Sequence, residues 1–166
     1  METRVHELIA TLDLIPHPEG GYYRETYKSD LCFDANKERP TFSGRRSCGA
    51  AIYFLLEGNN ISRMHRIKAD ELWHFYEGAA LSVHVIHPDG TLEEIRLGTD
   101  TARGETFQAL VKAGCWFGAS LPNGGHALVG CTTHPGFEFE DFHMAERADL
   151  LNQWPEHETI IKKLTP

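Results

Sequence analysis

The apolar residues of this chain recur with two different periods. Val5, Leu8, Ile9 and Leu12 fall three and four apart, which predicts a short amphipathic helix over residues 3–13, stopped by Pro16 and Pro18. From residue 22 the period shortens. Residues 22–27, Tyr-Tyr-Arg-Glu-Thr-Tyr, carry the aromatic and β-branched side chains of a first strand. Residues 29–47 are polar and interrupted by proline, and are expected to run as a surface excursion. Beyond Gly49, short apolar stretches punctuated by glycine predict strands over 50–56, 61–67, 71–76, 81–86, 92–97, 106–111, 115–120, 126–132 and 137–142. The tetrapeptide His87-Pro88-Asp89-Gly90 is a strong turn between two of them. Helical spacing returns over 145–151 and 156–164, with Pro155 suited to a first helical turn. Many short strands without intervening helices predict a sandwich or a closed antiparallel barrel and exclude a parallel α/β sheet.

Composition narrows the function classes. With 41% hydrophobic and 24% charged residues in 166, the chain has an ordinary soluble make-up and the size of one domain, expected to span 1–166. Its charged first residues and the lack of any apolar run near the roughly 18 residues a bilayer needs predict a cytoplasmic protein with no membrane partner. A net charge of −8 with no compensating Lys/Arg stripe argues against nucleic acid. Cys32, Cys48, Cys115 and Cys131 are far apart, with no CxxC pair, and read as free thiols.

Two segments concentrate the chemistry. The first runs from Gly58 to Gly78 and contains His65-Arg66-Ile67-Lys68-Ala69-Asp70-Glu71-Leu72-Trp73-His74-Phe75-Tyr76. Here a His closes one strand and a Glu opens the next, so both side chains can meet on one inner face. The second, Gly114-Cys-Trp116-Phe117-Gly-Ala-Ser-Leu-Pro122-Asn-Gly124-Gly125-His126, is a tight turn delivering another His to a strand start. These segments resemble the two motifs of the cupin superfamily, with His65, Glu71 and His126 at the positions of its first His, its Glu and its last His. Ile67 stands where the second His would be, the turn before His126 is one residue short, and Gly130 replaces the usual Asn. The stretches 17–25 (His-Pro-Glu-Gly-Gly-Tyr-Tyr-Arg-Glu) and 135–142 (Pro-Gly-Phe-Glu-Phe-Glu-Asp-Phe) resemble one branch, the domain-of-unknown-function family 985, and extend the likeness from Leu8 to Leu164. The resemblance implies a mostly β fold: an antiparallel double-stranded β-helix, or jelly-roll barrel, with a short N-terminal helix and two short C-terminal ones. It also implies a homodimer, and kinship in fold with sugar-nucleotide epimerases.

Carried onto this chain, the resemblance makes His65, Glu71 and His126 the candidate catalytic residues, and equally the candidate ligands of a divalent Fe, Mn, Ni or Zn ion. Without metal, His65 would act as base with Glu71 orienting it, and Tyr76, Tyr53 or Tyr23 as acid. Strict alternation sets Glu71, Trp73 and Phe75 on one face and His74 and Tyr76 on the other, so His74 reads as a sheet-packing or subunit-contact residue. Trp73, Trp116 and Phe117 are candidates for an aromatic wall, and Tyr23 for a further ligand contact. Ser62 has the opposite parity from His65 and reaches the pocket only if a bulge near residues 62–64 shifts the register. Along 137–142 the Phe/Glu alternation presents one apolar and one acidic face, with Glu138 and Glu140 solvated or paired with arginine. Three functions remain open: binding of a small polar metabolite such as a sugar or nucleotide derivative with isomerase- or epimerase-type chemistry, a metal-dependent oxygenase or lyase, and a binding module without chemistry.

Overall fold

The computed structural model describes residues 2–38 and 41–166. The helical period at the start of the chain forms α1 (Glu2–Thr11), followed by a two-residue strand β1 (Ile15–Pro16) and by β2 (Tyr22–Lys28). The polar excursion folds back on itself as the hairpin β3 (Cys32–Asp34) and β4 (Arg45–Ser47) around one helical turn, α2 (Ala35–Glu38). Residues 39 and 40 of that excursion lie outside the described residues. The glycine-punctuated region supplies β5 (Ala50–Glu57), β6 (Ile61–Ile67), β7 (Asp70–Gly78), β8 (Leu81–Ile86) and β9 (Leu92–Leu97). It continues with β10 (Gln108–Val111), β11 (Trp116–Ser120) and β12 (His126–His134). The tail adds β13 (Phe142–Met144), α3 (Arg147–Gln153) and α4 (Glu158–Leu164).

The strands build a six-stranded sheet in the order β1-β2-β5-β12-β7-β10 and a five-stranded sheet in the order β13-β6-β11-β8-β9. Ladder pairing within both is antiparallel throughout. Their inner faces share one core in which Phe54 and Leu56 of β5, Trp73 of β7 and Val129 of β12 meet Val83 and Val85 of β8 and Phe117 of β11. Alternation along β12 is clean: Ala127, Val129 and Cys131 enter this core, whereas Leu128 points outward to Val5, Leu8 and Leu14 beneath α1. The C-terminal helices lie on the outer face of the five-stranded sheet, where Leu150, Trp154, Ile161 and Leu164 cover Met64 and Ile86. Each such fully buried aliphatic side chain contributes roughly 1.5–3 kcal/mol.

One predicted strand is not formed. The stretch 137–142 bends after Pro135-Gly136 and makes a 3₁₀ turn over Phe139–Asp141 before β13 begins. The turn drives Asp141 into the interior, where its carboxylate accepts from the buried Arg46 guanidinium, with Nε at 3.3 Å. That ion pair replaces the strand ladder that the Phe/Glu alternation suggested. Glu140 also pairs with Arg46, and Glu138 with Lys28 at 2.6 Å.

Candidate functional site

The site begins with an irregularity in β6. Phe117 of β11 sits opposite His65 and Ala119 opposite Ser62, so three steps on β6 match two on β11. The surplus residue is a β-bulge across Arg63 and Met64, and it restores parity: Ser62 and His65 both face inward although they are three apart. Gly118, across from the bulge, leaves the room it needs, since a Cβ there would stand 2.7 Å from the Ser62 carbonyl oxygen and 3.1 Å from the Met64 nitrogen. Arg63 supplies two main-chain contacts to the site. Its N–H donates to the carbonyl of Glu19 at 2.7 Å, and its own carbonyl accepts from Nδ1 of His65 at 2.7 Å.

Glu19 belongs to the tight turn between β1 and β2, closed by the His17 N–H donating to the Gly21 carbonyl at 2.9 Å. Gly20 adopts φ +110°, and any side chain there would collide with the Ile61 carbonyl. This turn plugs one end of the barrel and sends the Glu19 side chain inside. Its Oε1 accepts from the Ser62 hydroxyl at 2.7 Å, and its Oε2 lies 3.2 Å from Nε2 of His65. Because a carbonyl can only accept, Nδ1 of His65 carries a hydrogen, and Nε2 is left to share one proton with Glu19. Burial pushes the His65 imidazolium down to a pKa of about 4, and burial raises the Glu19 carboxyl above its ordinary range. Both shifts favour the uncharged arrangement, in which the Glu19 carboxyl donates to Nε2.

His17 completes this wall. Its Nδ1 accepts from the Glu19 N–H at 3.2 Å, so the neutral ring carries its hydrogen on Nε2, and burial holds its pKa below the usual value. Glu71 faces the same space from the start of β7. Burial first, and the neighbouring Glu19 second, raise its carboxyl to a pKa of about 8. The Cys131 thiol and the Trp73 indole are its polar neighbours, with the indole N–H stopping short of a hydrogen bond.

These groups line a cavity of about 270 Å³ inside the barrel, with Ile52, Phe54 and Ile67 as apolar wall and Phe137, Phe139 and Phe142 toward the mouth. Its volume matches about nine water molecules at roughly 30 Å³ each. Phe139 and Glu25 are exposed and mark the opening. Among the described residues no lysine or arginine lines it.

The residues singled out by sequence therefore separate. His65, Glu71 and Tyr23 line the cavity, with Tyr23 edge-on to His17 at 4.5 Å. Ser62 reaches the same cluster through Glu19. Phe117 and Trp73 stand behind the wall as core, with the Phe117 ring 4.2 Å from that of His65. Trp116 is on the outer face, stacked beneath Arg66 at 4.5 Å. His126 does not join His65 and Glu71. Its parity on β12 is that of the outward Leu128, and its Nε2 lies 3.4 Å from Glu77, itself bound to Arg4. A second bulge explains Glu77: Phe75 pairs with Val129 but Glu77 with Leu128, so the extra Tyr76 turns Glu77 outward. Tyr76 and Tyr53 meet each other on that outer face at 6.0 Å, which leaves Tyr23 as the phenol within the cavity. His74, on the same outer face, bonds Thr132 at 3.1 Å and Gln108 at 3.0 Å.

The three proposed metal ligands thus fail to converge, and among the described residues no group of three His, Cys, Asp or Glu side chains has the spacing to hold a metal ion. The donor set does not fit the ion, and no step through a metal follows from it. Sequence reading passed over Glu19 and His17. Neither lies on a periodic element, and the only local signal was a glutamate pressed against two glycines and two prolines.

A family profile described as Cupin superfamily (DUF985) matches residues 6–145. The chain is a cupin. This DUF985 cupin is 30% identical over 158 residues to an uncharacterised protein of Saccharomyces cerevisiae, covering 89% of the chain and 78% of that relative. A crystal structure of a Shewanella oneidensis protein superposes with a TM-score of 0.87 at 39% identity, covering 96% of each chain. A hypothetical protein from Leishmania major gives 0.86 at 34% identity, covering 96% of this cupin and 97% of that chain. Oxalate decarboxylase from Bacillus subtilis shares the fold alone, at 15% identity, a TM-score of 0.56 and 36% of its own length covered.

Proposed function

We propose that the barrel cavity binds a small organic metabolite and moves a proton to or from it, with the Glu19–His65 pair as the proton carrier. The observation that carries this reading is the 2.7 Å bond from Nδ1 of His65 to the Arg63 carbonyl, which aims Nε2 at Glu19 3.2 Å away. The pair passes between a neutral form, with the Glu19 carboxyl donating to Nε2, and a form one proton poorer, with a Glu19 carboxylate held by Ser62 beside the neutral ring, so it can give one proton to a bound compound and take it back. Removal of a proton from a carbon beside a carbonyl, followed by its return, is the isomerase- or epimerase-type step that suits such a pair. A nucleotide is a poor fit, since among the described residues no lysine or arginine lines the cavity to meet its phosphates.

Deuterium wash-in tests the proposal. The protein is incubated in D₂O with a panel of small ring-sized carbonyl compounds, and carbon-bound deuterium is followed by mass spectrometry. Wash-in into at least one compound is expected, and His65→Ala should slow it by about 10²- to 10⁴-fold, the usual worth of a positioned acid/base group. Equal wash-in with both proteins, or tight binding with no exchange, would overturn it. We further propose, on the family resemblance alone, that the chain is a homodimer; a sedimentation mass near 18.7 kDa at micromolar concentration would contradict this.

A further inference from the structure

We propose that the ligand of this cavity is a small organic cation, a quaternary or protonated amine seated against Phe137, Phe139 and Phe142 with Glu71 as its counter-charge. The inference rests on the reading of the cavity as a small-molecule site and narrows its ligand class. Three observations lead to it. First, the three phenylalanines form one aromatic cluster, with ring centroids 5.0 Å apart for Phe137–Phe139, 6.1 Å for Phe137–Phe142 and 6.2 Å for Phe139–Phe142. Ring faces carry negative charge density and attract desolvated cations, above all alkylammonium groups whose methyls pack on the rings.

Second, among the described residues the lining carries no permanent cation, and its two imidazoles, His17 and His65, are held neutral by burial. Among the described residues the lining includes the carboxyls of Glu19, Glu25 and Glu71 and no lysine or arginine. The cations nearest the phenylalanine segment are already matched: Lys28 pairs with Glu138, Arg46 with Asp141 and Glu140, and Lys68 with Asp141. An anionic ligand would meet three carboxyls and, among the described residues, no permanent cation to balance its charge. Third, Glu71 is a buried carboxyl, 8% exposed, that faces the cavity with no lysine or arginine beside it among the described residues. An isolated buried carboxylate is costly, so the group waits in its protonated form until a positive charge arrives.

The protonation state then reports the ligand's charge. The titratable groups around Glu71 are Glu19 and His17 of the β1–β2 turn, His65 of β6, Cys131 of β12 and Glu25 of β2 at the mouth. Burial raises the Glu71 pKa to about 8, with Glu19 adding to it when ionised, while His65 stays neutral above about 4. A cation beside Glu71 favours the carboxylate and expels the proton. Affinity for a cation therefore climbs as pH rises toward 8 and levels above it, by up to tenfold per pH unit.

Choline and its neutral isostere 3,3-dimethylbutan-1-ol test this, because they share one shape and differ in a single charge that never titrates. Calorimetry on the full chain at pH 6, 7, 8 and 9 should show choline bound at least tenfold more tightly than the alcohol at pH 8. Choline binding should strengthen from pH 6 to 8 and the alcohol's should stay flat. In Glu71→Gln the preference for choline and its pH dependence should both disappear. Phe139→Leu, at the exposed mouth where folding is not at risk, should weaken choline severalfold and leave the alcohol within twofold. Alcohol binding equal to or tighter than choline overturns the cation and leaves the small-molecule reading standing. Retention of the choline preference in Glu71→Gln overturns Glu71 as the counter-charge, and binding of neither probe overturns the cation while deuterium wash-in into a carbonyl compound still decides the proton-transfer reading.

Discussion

At the scale of single residues, the cavity holds two groups whose protonation opposes one another in the stability of the fold. Glu71 keeps its proton in the folded chain up to a pH of about 8, whereas an unfolded glutamate releases it near 4.5. Between those values the folded state binds more protons, so the stability this group contributes is full below pH 4.5 and is lost as pH rises to 8, by about 1.4 kcal/mol per unit. His65 acts in the other direction: the unfolded ring protonates below 6.5 and the buried one only near 4, so stability falls as pH drops through that window. Glu71→Gln, an uncharged mimic of the protonated acid, is expected to melt close to the parent at pH 5 and well above it at pH 9, by scanning calorimetry. Identical melting at both values would mean that Glu71 is not buried as a neutral acid. His65 and Glu71 were legible because a strand–turn–strand joins them over six residues. Glu19 was not, since its approach to His65 depends on a turn that plugs the barrel from 46 positions upstream.

At the scale of elements, period alone located α1, α3, α4 and most strands but not the one-turn α2, and local irregularities decided which side chains meet. Ser62 reaches the site only through the bulge in β6, which no residue type there announces; Gly118 on the neighbouring strand leaves it the space it needs. Gly118→Ala should push the bulge away from β11 and cost about 1–3 kcal/mol as overpacking, measured as a lower denaturant midpoint. It should also bring the His65 pKa, followed by imidazole proton shifts, nearer its ordinary value. The second bulge, at Tyr76, and the outward parity of His126 could not be read from motif spacing, because a one-residue slip reverses the face of everything beyond it. The stretch 137–142 misled for another reason. Its Phe/Glu alternation satisfies a strand pattern, but Arg46, 95 residues before Asp141, draws that carboxylate inward. Asp141→Ala, which removes the buried partner of the Arg46 guanidinium and leaves it only the exposed Glu140, is expected to cost about 3–5 kcal/mol in urea unfolding.

At the scale of the whole molecule, the five-stranded sheet separates two apolar compartments, the barrel core and the layer beneath α3 and α4. Damage to one should leave the other's chemistry in place. Ile161→Ala, fully buried under the helices, should lower stability by about 2–5 kcal/mol. The His65 titration should be unmoved at temperatures where the protein stays folded; a displaced titration would show that the helices reach the cavity through the sheet. Tyr23, Glu19 and the phenylalanine cluster come from opposite ends of the chain, so the cavity exists only once the barrel has closed. The main chain of Arg63 takes on a particular importance there. Two of the links that orient the proton-sharing pair pass through its amide and carbonyl, groups that every residue except proline possesses in full. The identity of the amino acid at 63 is thus nearly silent about its task, and a catalogue of functional side chains would omit the hinge on which this interior turns.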